Sequence, residues 1–434
     1  MTLTGTRTYV GFGFGAIQSG LFLYEAFRSG AFRRLVVAEV LPEVVAAVRR
    51  AEGHYFVNIA YPDRVERAEV GPIEIEDPAS EPDRQRLVEA IAEADEIGTA
   101  VPSVEHYVSE KPGSIHCTLA AGLSQKADRG GLRAVIYAAE NHNHAAEILE
   151  SHVWNEIPES NHESVRSQVR FLDTVIGKMS QVVADPTELQ ARGLATITPD
   201  LPRAFLVESF NRILISRIRF DETFHRGIAV FEEKDALLPF EEAKLYGHNA
   251  THALAGYIGA MVGVQRVMDL RKIPGIVLFL RAAFIEESGE ALIRKHRGTD
   301  ALFTREGYCQ YADDLLERMT NPFLMDTIER VTRDPERKLG WNDRLIGTMR
   351  VALANGVQPR RYAFGAAAAL AAMNRSTVDG ETSVETILDP LWDKTAPPTD
   401  ERDRVLRLIE DARRRLQGWR QSGFSNLELY FEKH

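Results

Sequence analysis

Residues 8–102 alternate short apolar runs with amphipathic stretches, and this alternation restricts the possible folds more than any other feature of the chain. The runs TYVGFGFG, LVVAEV and EIGTAVP are typical of strands, and IQSGLFLYEAFRSG, LPEVVAAVRRAEG and RLVEAIAEA are typical of helices. Strands that alternate with helices form βαβ units and a parallel sheet. Further apolar runs at LRAVIYAAEN and VRFLDTVIG extend the pattern. The sequence therefore predicts an α/β protein whose first part is a Rossmann-type doubly wound domain.

The pattern changes after Ala204. AFLVESFNRILISRIRF is typical of strands, RGIAVFEEKDALLPFEEAKL of a loop entering a helix, and the chain beyond Phe240 of helices with 3.6-residue periodicity. DPLWDKTAPPTDERDR is expected to be a Pro-rich connector before a charged amphipathic helix over residues 402–420. We expect a Rossmann domain over residues 1–238 and a mostly α-helical domain over residues 239–434, with a C-terminal helical extension.

Composition excludes several classes of protein. The chain has 434 residues, and its 52 Lys and Arg against 63 Asp and Glu give a net charge of −11, spread along the sequence, which argues against a broad nucleic-acid-binding surface. Two distant cysteines, Cys117 and Cys309, provide no disulfide framework. No apolar stretch reaches the roughly 18 residues of a membrane span, and no secretory signal pattern opens the chain. We expect a cytoplasmic protein that binds neither nucleic acid nor membranes.

Closely spaced glycines stand where the first strand is predicted to turn into the first helix. Residues without a Cβ let the backbone approach a pyrophosphate, and the N–H groups of the helix start stabilise its charge. Gly13 and Gly15 are the first two glycines of such a fingerprint, although Gln18 stands where a third is usual. Glu39 ends the second strand, where a carboxylate binds the ribose and repels a 2′-phosphate. The pattern predicts NAD as cofactor, with these binding residues: Gly13, Gly15, Ala16, Ile17, Gln18, Glu39, Thr99 and Val101.

Lys244, Asn249 and His252 fall within KLYGHNATHALAGYIG. On an α-helix their side chains lie near 0°, 140° and 80°, so they share one face. A lysine with a lowered pKa can take the proton of an alcohol, and a carboxamide can donate to the developing alkoxide. Asn141 is a candidate for a second carboxamide because it follows the strand LRAVIYAAEN, and ligands of open α/β sheets lie beyond the carboxyl ends of strands.

Five segments carry a family resemblance: FGFGAIQSG, AAEN, KLYGHNATHALAGYIG, AFIEESGEALI and NPFLMDTIERVTRDPERKLGWNDRLI. With them, most of residues 8–370 resembles the polyol-specific long-chain dehydrogenases, and within these the mannitol-1-phosphate 5-dehydrogenase branch. The resemblance implies a Rossmann domain followed by a helical domain similar to that of 6-phosphogluconate dehydrogenase. It also implies NAD-linked, metal-independent oxidation of a secondary alcohol, with Lys244 as general acid and base, Asn141 and Asn249 holding the oxyanion, and His252 orienting substrate hydroxyls.

Arg337, Lys338 and Arg344 match basic positions of that branch, and such a cluster suits a sugar phosphate. The resemblance therefore predicts interconversion of mannitol 1-phosphate and fructose 6-phosphate by a monomer or homodimer. Three alternatives stay open: a dehydrogenase of an unphosphorylated polyol, one of a hexuronate-derived sugar acid, and a dinucleotide-binding sensor without activity. His248 and His252 have the spacing of a zinc-hydrolase motif, but Asn249 replaces its glutamate, so no metal site is expected.

Overall fold

The computed structural model describes residues 5–373, 382–392, 395 and 397–431. The chain divides into two compact units, Met1–Leu237 and Leu238–His434. All of the described strands lie in the first unit, and the described part of the second is mostly helical, which confirms the predicted fold class. Among the described helices, none combines the length and the apolar character that crossing a bilayer requires.

Among the described residues of the first unit, twelve strands form two sheets. Their bounds are β1 Arg7–Phe12, β2 Phe32–Ala38, β3 Tyr55–Ala60, β4 Val65–Val70, β5 Glu74–Glu76, β6 Glu96–Thr99, β7 Ala134–Ala138, β8 Val169–Ile176, β9 Ser180–Val183, β10 Ala204–Glu208, β11 Ile213–Ser216 and β12 Phe231–Lys234. The larger sheet has the order β12-β11-β8-β7-β6-β1-β2-β5. Its strands from β5 to β8 pair in parallel. Ranked along the chain, these six strands have the order 3-2-1-4-5-6 of a Rossmann sheet.

The register of the large sheet aligns the carboxyl ends of its central strands. Phe12 of β1 pairs with Thr99 of β6, and Thr99 pairs with Ala138 of β7. The direction of strand addition reverses between β1 and β6, and ligands of such sheets bind at this switch point. The fold therefore places the glycine turn after β1 beside the segments that follow β6 and β7.

The smaller sheet, of order β4-β3-β10-β9, was not foreseen. The predicted strand run after Ala204 is divided between two sheets, since β10 pairs with β3 and β9, whereas β11 pairs antiparallel with β8. The segment predicted to be a loop before the second unit contains strand β12, which extends the large sheet by pairing with β11. Gly20 lies against β10, where an added Cβ would meet Val207 Cγ1 at 2.4 Å.

The helices of the first unit cover the faces of the sheets. They are α1 Tyr24–Ser29, α2 Pro42–Arg50, α3 Glu81–Glu93, α4 Ile115–Asp128, α5 Ala145–Glu156, α6 His162–Gln168 and α7 Pro186–Arg192. The apolar side chains of β1, β6 and β7 are buried on both faces, as continuous hydrophobic runs in a parallel sheet predict. The predicted first helix is α-helical at residues 16–17 and continues as a π-helix, Gln18–Leu23, before α1.

The second unit is a bundle of helices. They are α8 Leu238–Glu242, α9 Ala250–Val262, α10 Ile276–Ala282, α11 Glu290–Lys295, α12 Arg305–Met319, α13 Ile328–Thr332, α14 Pro335–Lys338, α15 Ile346–Ala354, α16 Arg360–Met373, α17 Val384–Trp392 and α18 Thr399–Gln421. Two π-helices, Ala243–Asn249 and Ala283–Gly289, lie between α8 and α9 and between α10 and α11. Small residues let α9 pack closely against α16, since a Cβ on Gly365 would meet Leu254 Cδ1 at 2.6 Å.

The C-terminal prediction is partly right. Helix α18 confirms the charged amphipathic helix over residues 402–420. The Pro-rich connector was wrong at its ends, because residues 389–392 belong to α17 and residues 399–404 to α18. Pro390 is tolerated inside α17 near its end. The polar stretch after Asn374 lies outside the described residues up to position 381.

Candidate active site

The turn after β1 leaves room for a ligand against its backbone. Gly13 has a φ of +83°, and a Cβ there would come within 2.9 Å of the Ala100 carbonyl oxygen, so only glycine fits. A Cβ on Gly15 would meet no atom within 4 Å, so the space beside it is open. A tight turn next to open space at a helix start is the arrangement that a pyrophosphate requires. The residues of this turn fit a dinucleotide.

Gln18 is fully buried beneath the turn. Its Nε2 donates to Tyr9 Oη at 2.7 Å, and a Cβ on Gly11 would collide with the same nitrogen at 2.0 Å. The missing third glycine is therefore replaced by a side chain that packs inside the unit. Any contact between Gln18 and a cofactor falls to its backbone.

Glu39 is held at the end of β2 by three backbone N–H groups. Phe14 N–H donates to Oε2 at 2.9 Å, while Val40 and Leu41 N–H donate to Oε1 at 2.8 and 2.9 Å. The hydrogen bond from Phe14 ties the carboxylate to the glycine turn. These bonds fix the carboxyl group at the end of β2, the position predicted to contact the ribose.

Glu140 is a buried carboxylate at the same sheet edge that the sequence analysis did not single out. It accepts from Thr99 Oγ1 at 2.8 Å, from Val101 N–H at 2.9 Å and from the Tyr107 hydroxyl. Burial raises its pKa above the usual range. The carboxylate joins the segment after β6 to the segment after β7, and so positions exposed Asn141, the next residue. The sequence signal that could have identified Glu140 was its position in the AAEN segment, directly before Asn141.

Lys244 and Asn249 lie on a π-helix, which corrects the α-helical geometry predicted for them. The Ala250 N–H donates to the Leu245 carbonyl, five residues back. An α-helix separates residues five apart by about 140° around its axis. The wider π turn brings positions i and i+5 closer to the same side, so Lys244 and Asn249 share a face more closely than predicted. Such π segments recur at functional sites.

The pKa of Lys244 is lowered to about 8, first by removal of the ammonium from water and then by the neighbouring Arg344 guanidinium. Glu241 acts in the opposite direction. Both main causes penalise the charged form of the lysine. Lys244 can therefore exist as a neutral amine close to physiological pH, as a general base must.

His252 belongs to a chain of charged groups that the sequence did not reveal. Its Nε2 lies 3.0 Å from Asp326 Oδ2, and Arg330 makes a bidentate pair with the same carboxylate at 2.6 Å for each bond. Asp326 is buried, and its pKa is held well below the usual range by hydrogen bonds and charge from His252 and Arg330. The imidazole of His252 is thus oriented by a fixed anion.

A cavity of about 260 Å³ contains Asn249 and His252 in its lining together with five cationic side chains. The cations are Arg330, Arg333, Arg337, Lys338 and Arg344, and the one carboxylate of the lining is Asp334. The predicted substrate residues Arg337, Lys338 and Arg344 are thus brought together with Asn249 and His252. Arg330 and Arg333 were missed because nothing in the sequence distinguishes them from other surface arginines.

The cations of this cavity differ in how far they are neutralised. Arg344 pairs with Asp343 at 2.7 Å, and Arg337 lies 3.9 Å from Asp334. Among the described residues, none forms an ion pair or hydrogen bond with the side chain of Lys338 or of Arg333. Lys338 is 4 % exposed, and burial with the charges of Arg344 and Arg337 lowers its pKa to about 8. Asp334 and Asp343 act in the opposite direction without pairing directly with Lys338, so the buried ammonium favours an anionic ligand.

Comparison with known proteins assigns the family. The sequence model of the mannitol dehydrogenase Rossmann domain matches residues 7–224, and that of the mannitol dehydrogenase C-terminal domain matches residues 236–412. A D-sorbitol dehydrogenase in substrate-free form has a similar structure, with a TM-score of 0.76, 14 % identity, and coverage of 98 % of this chain and 96 % of that one. Pseudomonas fluorescens mannitol 2-dehydrogenase, solved with NAD and D-mannitol, has a TM-score of 0.69, 15 % identity, and coverage of 100 % and 96 %.

At such low identity the two solved structures establish the fold alone, whereas the two domain matches together account for most of the chain. The family resemblance read from the sequence is confirmed. The chain is an oxidoreductase of the mannitol dehydrogenase family, and its Rossmann and helical parts are the two domains of that family.

Proposed function

We propose that this protein interconverts a polyol and a ketose with NAD, and that the substrate carries a phosphate, as in mannitol 1-phosphate and fructose 6-phosphate. The observation that carries the proposal is the cationic cavity lined by Asn249 and His252, in which the side chains of Lys338 and Arg333 have no ion-pair partner among the described residues. A phosphate monoester has a charge of about −1.5 to −2 at neutral pH, which such a pair can balance.

NAD, when bound, supplies the acceptor for the hydride that leaves the alcohol carbon. Lys244 Nζ takes the hydroxyl proton in oxidation and returns it to the alkoxide in reduction. Its pKa of about 8 leaves about a tenth of the lysine neutral at pH 7, so the same group serves both directions. The Asn249 carboxamide donates to the developing oxyanion, and we assign the second donor to Asn141. His252, oriented by Asp326, binds substrate hydroxyls.

The first unit is proposed to hold the cofactor. The backbone of Gly13, Gly15, Ala16 and Ile17 would surround the pyrophosphate, and Glu39 would accept from the adenosine ribose. Thr99 and Val101, both bonded to Glu140, stand at the switch point of the sheet. The fixed carboxylate of Glu39 favours NAD over NADP.

A hexuronate-derived sugar acid is the second candidate substrate, because its carboxylate also suits Lys338 and Arg333. An unphosphorylated polyol would leave these cations unpaired. A sensor without activity would have no use for a lysine of lowered pKa beside a carboxamide.

The test is oxidation of NADH by the purified protein with fructose 6-phosphate, fructose and a ketohexuronate in parallel, with NADPH in place of NADH as the cofactor control. We expect turnover with fructose 6-phosphate and NADH, and little with fructose or NADPH. Turnover with the ketohexuronate alone would mean that the cavity binds the carboxylate of a sugar acid and not a phosphate. Tight NADH binding without turnover of any of these substrates would contradict the proposal.

The phosphate assignment is tested by Lys338→Gln. Loss of a charge-assisted hydrogen bond costs about 1.5–3 kcal/mol, so the KM for fructose 6-phosphate should rise by roughly 10- to 150-fold while kcat changes little. The matched control is Lys272→Gln, since Lys272 is an exposed lysine of the same unit whose partner is Asp269. Equal effects of the two substitutions would show that Lys338 has no special role.

A further inference from the structure

A cluster of metal-ligating side chains joins helices α4 and α5 of the first unit. His116 and Cys117 lie in the first turn of α4, and Glu156 ends α5. One ligand atom from each of the three residues lies within 4.8 Å of the other two. None of these residues takes part in the chemistry proposed above, so the cluster requires its own account.

The distances within the cluster suit a zinc-sized ion. His116 Nε2 lies 3.5 Å from Cys117 Sγ and 3.9 Å from Glu156 Oε1. Bonds of 2.0–2.3 Å in a tetrahedron give ligand-to-ligand distances of roughly 3.3–3.8 Å. The first distance falls in this range and the second slightly exceeds it. The third pair, Cys117 and Glu156, lies within 4.8 Å and needs a contraction of at most about 1 Å to coordinate the same ion.

The hydrogen bonds of His116 leave its Nε2 available to coordinate a metal ion. Its Nδ1 lies 3.0 Å from the Tyr107 carbonyl oxygen, which can only accept, and 2.5 Å from Ser114 Oγ, which itself donates to that carbonyl. A proton on Nδ1 satisfies both contacts. Nε2 then presents its lone pair toward Cys117 and Glu156. A backbone carbonyl that accepts from the second ring nitrogen is the usual support of a metal-binding histidine.

His152 provides a fourth group. It precedes Glu156 by one helical turn on α5, which places the two side chains on one face, and its ring centroid lies 6.1 Å from that of His116. The imidazole is half-buried, and no other described residue donates to it or accepts from it. Its ring nitrogens do not lie within 4.8 Å of all three ligand atoms, so coordination by His152 requires a change in its side-chain torsion angle.

We propose that His116, Cys117, His152 and Glu156 form a binding site for zinc or a similar borderline-soft divalent cation. Thiolate and imidazole ligands select such ions over magnesium or calcium. Four protein ligands leave no open position, so the site is structural and holds α4 to α5. Binding releases the proton of the Cys117 thiol to solvent, and no electron transfer is involved. The site is separate from the metal-independent chemistry proposed above.

The test uses full-length protein stripped of metal by a chelator and titrated with Co²⁺, whose bond to a thiolate gives a charge-transfer absorption band. We expect one Co²⁺ per chain, a thiolate band, and its loss when Zn²⁺ is added. Cys309→Ser is the matched control, because it removes the other cysteine and should leave the band intact. Cys117→Ser should abolish the band, and His152→Gln should weaken Co²⁺ binding by roughly tenfold or more.

Thermal unfolding provides the second measurement. Zn²⁺ should raise the melting temperature of the wild type and of Cys309→Ser, since an ion that binds only the folded state stabilises it, but not that of Cys117→Ser. A wild type without the band, or a band that persists in Cys117→Ser, would overturn the site. Unchanged Co²⁺ affinity in His152→Gln would overturn the assignment of the fourth ligand.

Discussion

At the scale of single residues, the site depends on charges that are held out of water. Lys244 and Lys338 both have a pKa lowered to about 8, and Arg344 contributes to both shifts. The same guanidinium thus favours a neutral amine at the base and a phosphate at the cavity. We propose that Lys244 exchanges a proton with the substrate. We also propose that an anion bound beside Lys338 raises the pKa of this lysine and so restores its positive charge.

The pH dependence of turnover follows from the pKa of Lys244. Oxidation needs the neutral amine, so kcat/KM for the polyol should rise with pH and level off above about pH 8. Reduction needs the ammonium, so its rate should fall over the same range. Steady-state rates in both directions from pH 6.5 to 10 provide the measurement. Lys244→Met should lower kcat by about a hundredfold to ten-thousandfold and abolish the rise of kcat/KM with pH. If the rise persists in the variant, it is caused by the titration of another group.

The residues that sequence could predict are those whose spacing is local. Lys244, Asn249 and His252 fall within nine positions, and Gly13, Gly15 and Glu39 follow strand ends. Asp326 pairs with His252 across 74 positions of sequence, and no local pattern marks such a partner. Glu140 was overlooked for a different reason, since its role depends on burial beside Thr99 and Val101.

At the scale of elements, the two π-helices of the second unit pack against each other. Gly247 of the first faces Phe284 of the second, and a Cβ on Gly247 would meet Phe284 Cε2 at 2.5 Å and Tyr308 Oη at 2.7 Å. Ser288 and Glu287 of the second π-helix bond in turn to Tyr362 of α16. The segment that carries Lys244 is therefore supported by close packing in addition to its own backbone hydrogen bonds.

Gly247→Ala tests this packing. Overpacking costs about 1–3 kcal/mol, which lowers the melting temperature of a unit of this size by roughly 2–10 °C, and a shifted Lys244 should also lower kcat. The control is Gly418→Ala in α18, where a Cβ meets nothing closer than Tyr430 Cε1 at 3.6 Å. Alanine there should stabilise the helix by about 0.5–1 kcal/mol. A lower melting temperature for Gly247→Ala and a higher one for Gly418→Ala would support the packing. A Gly247→Ala variant with unchanged stability and full activity would refute it.

Sequence periodicity located most helices and strands but not their exceptions. A π turn inserts an i+5 hydrogen bond without changing the apolar pattern around it, so residues 243–249 looked α-helical. Strands β10 and β11 looked alike in sequence, yet the break at residues 209–212 sends them to different sheets. Such choices depend on partners far along the chain, which local propensity does not encode.

At the scale of the whole molecule, the proposed tasks are divided between two units. The residues assigned to the cofactor, from Gly13 to Val101, belong to Met1–Leu237, whereas Lys244 and the cationic cavity belong to Leu238–His434. The net charge of −11 opposes anions in general, so the five cations of the cavity act as a local exception. A substitution that impairs cofactor binding should therefore leave the lysine and the cationic cavity intact, and the reverse should also hold.

Two variants should separate these tasks. Lys244→Met should bind NADH with a dissociation constant within about twofold of the wild type while turnover is lost, because the base adds little to ground-state binding. Glu39→Ala should weaken NADH binding by roughly tenfold or more, since it removes a charged acceptor for the ribose. Fluorescence titration with NADH measures both. Weak NADH binding by Lys244→Met would show that the lysine serves the cofactor instead.

The π-helix over Ala243–Asn249 also determines how this gene can vary in length. A π turn is an α-helix with one additional residue, so removing one codon between Lys244 and Asn249 would restore ordinary winding. The two side chains would then stand four positions apart, about 40° from each other around an α-helix, and would still share one face. Removing one codon between Asn249 and His252 would instead rotate these two side chains by about 100° relative to each other. The π-helix is therefore the stretch in which the chain can lose one residue and keep the alignment of the site.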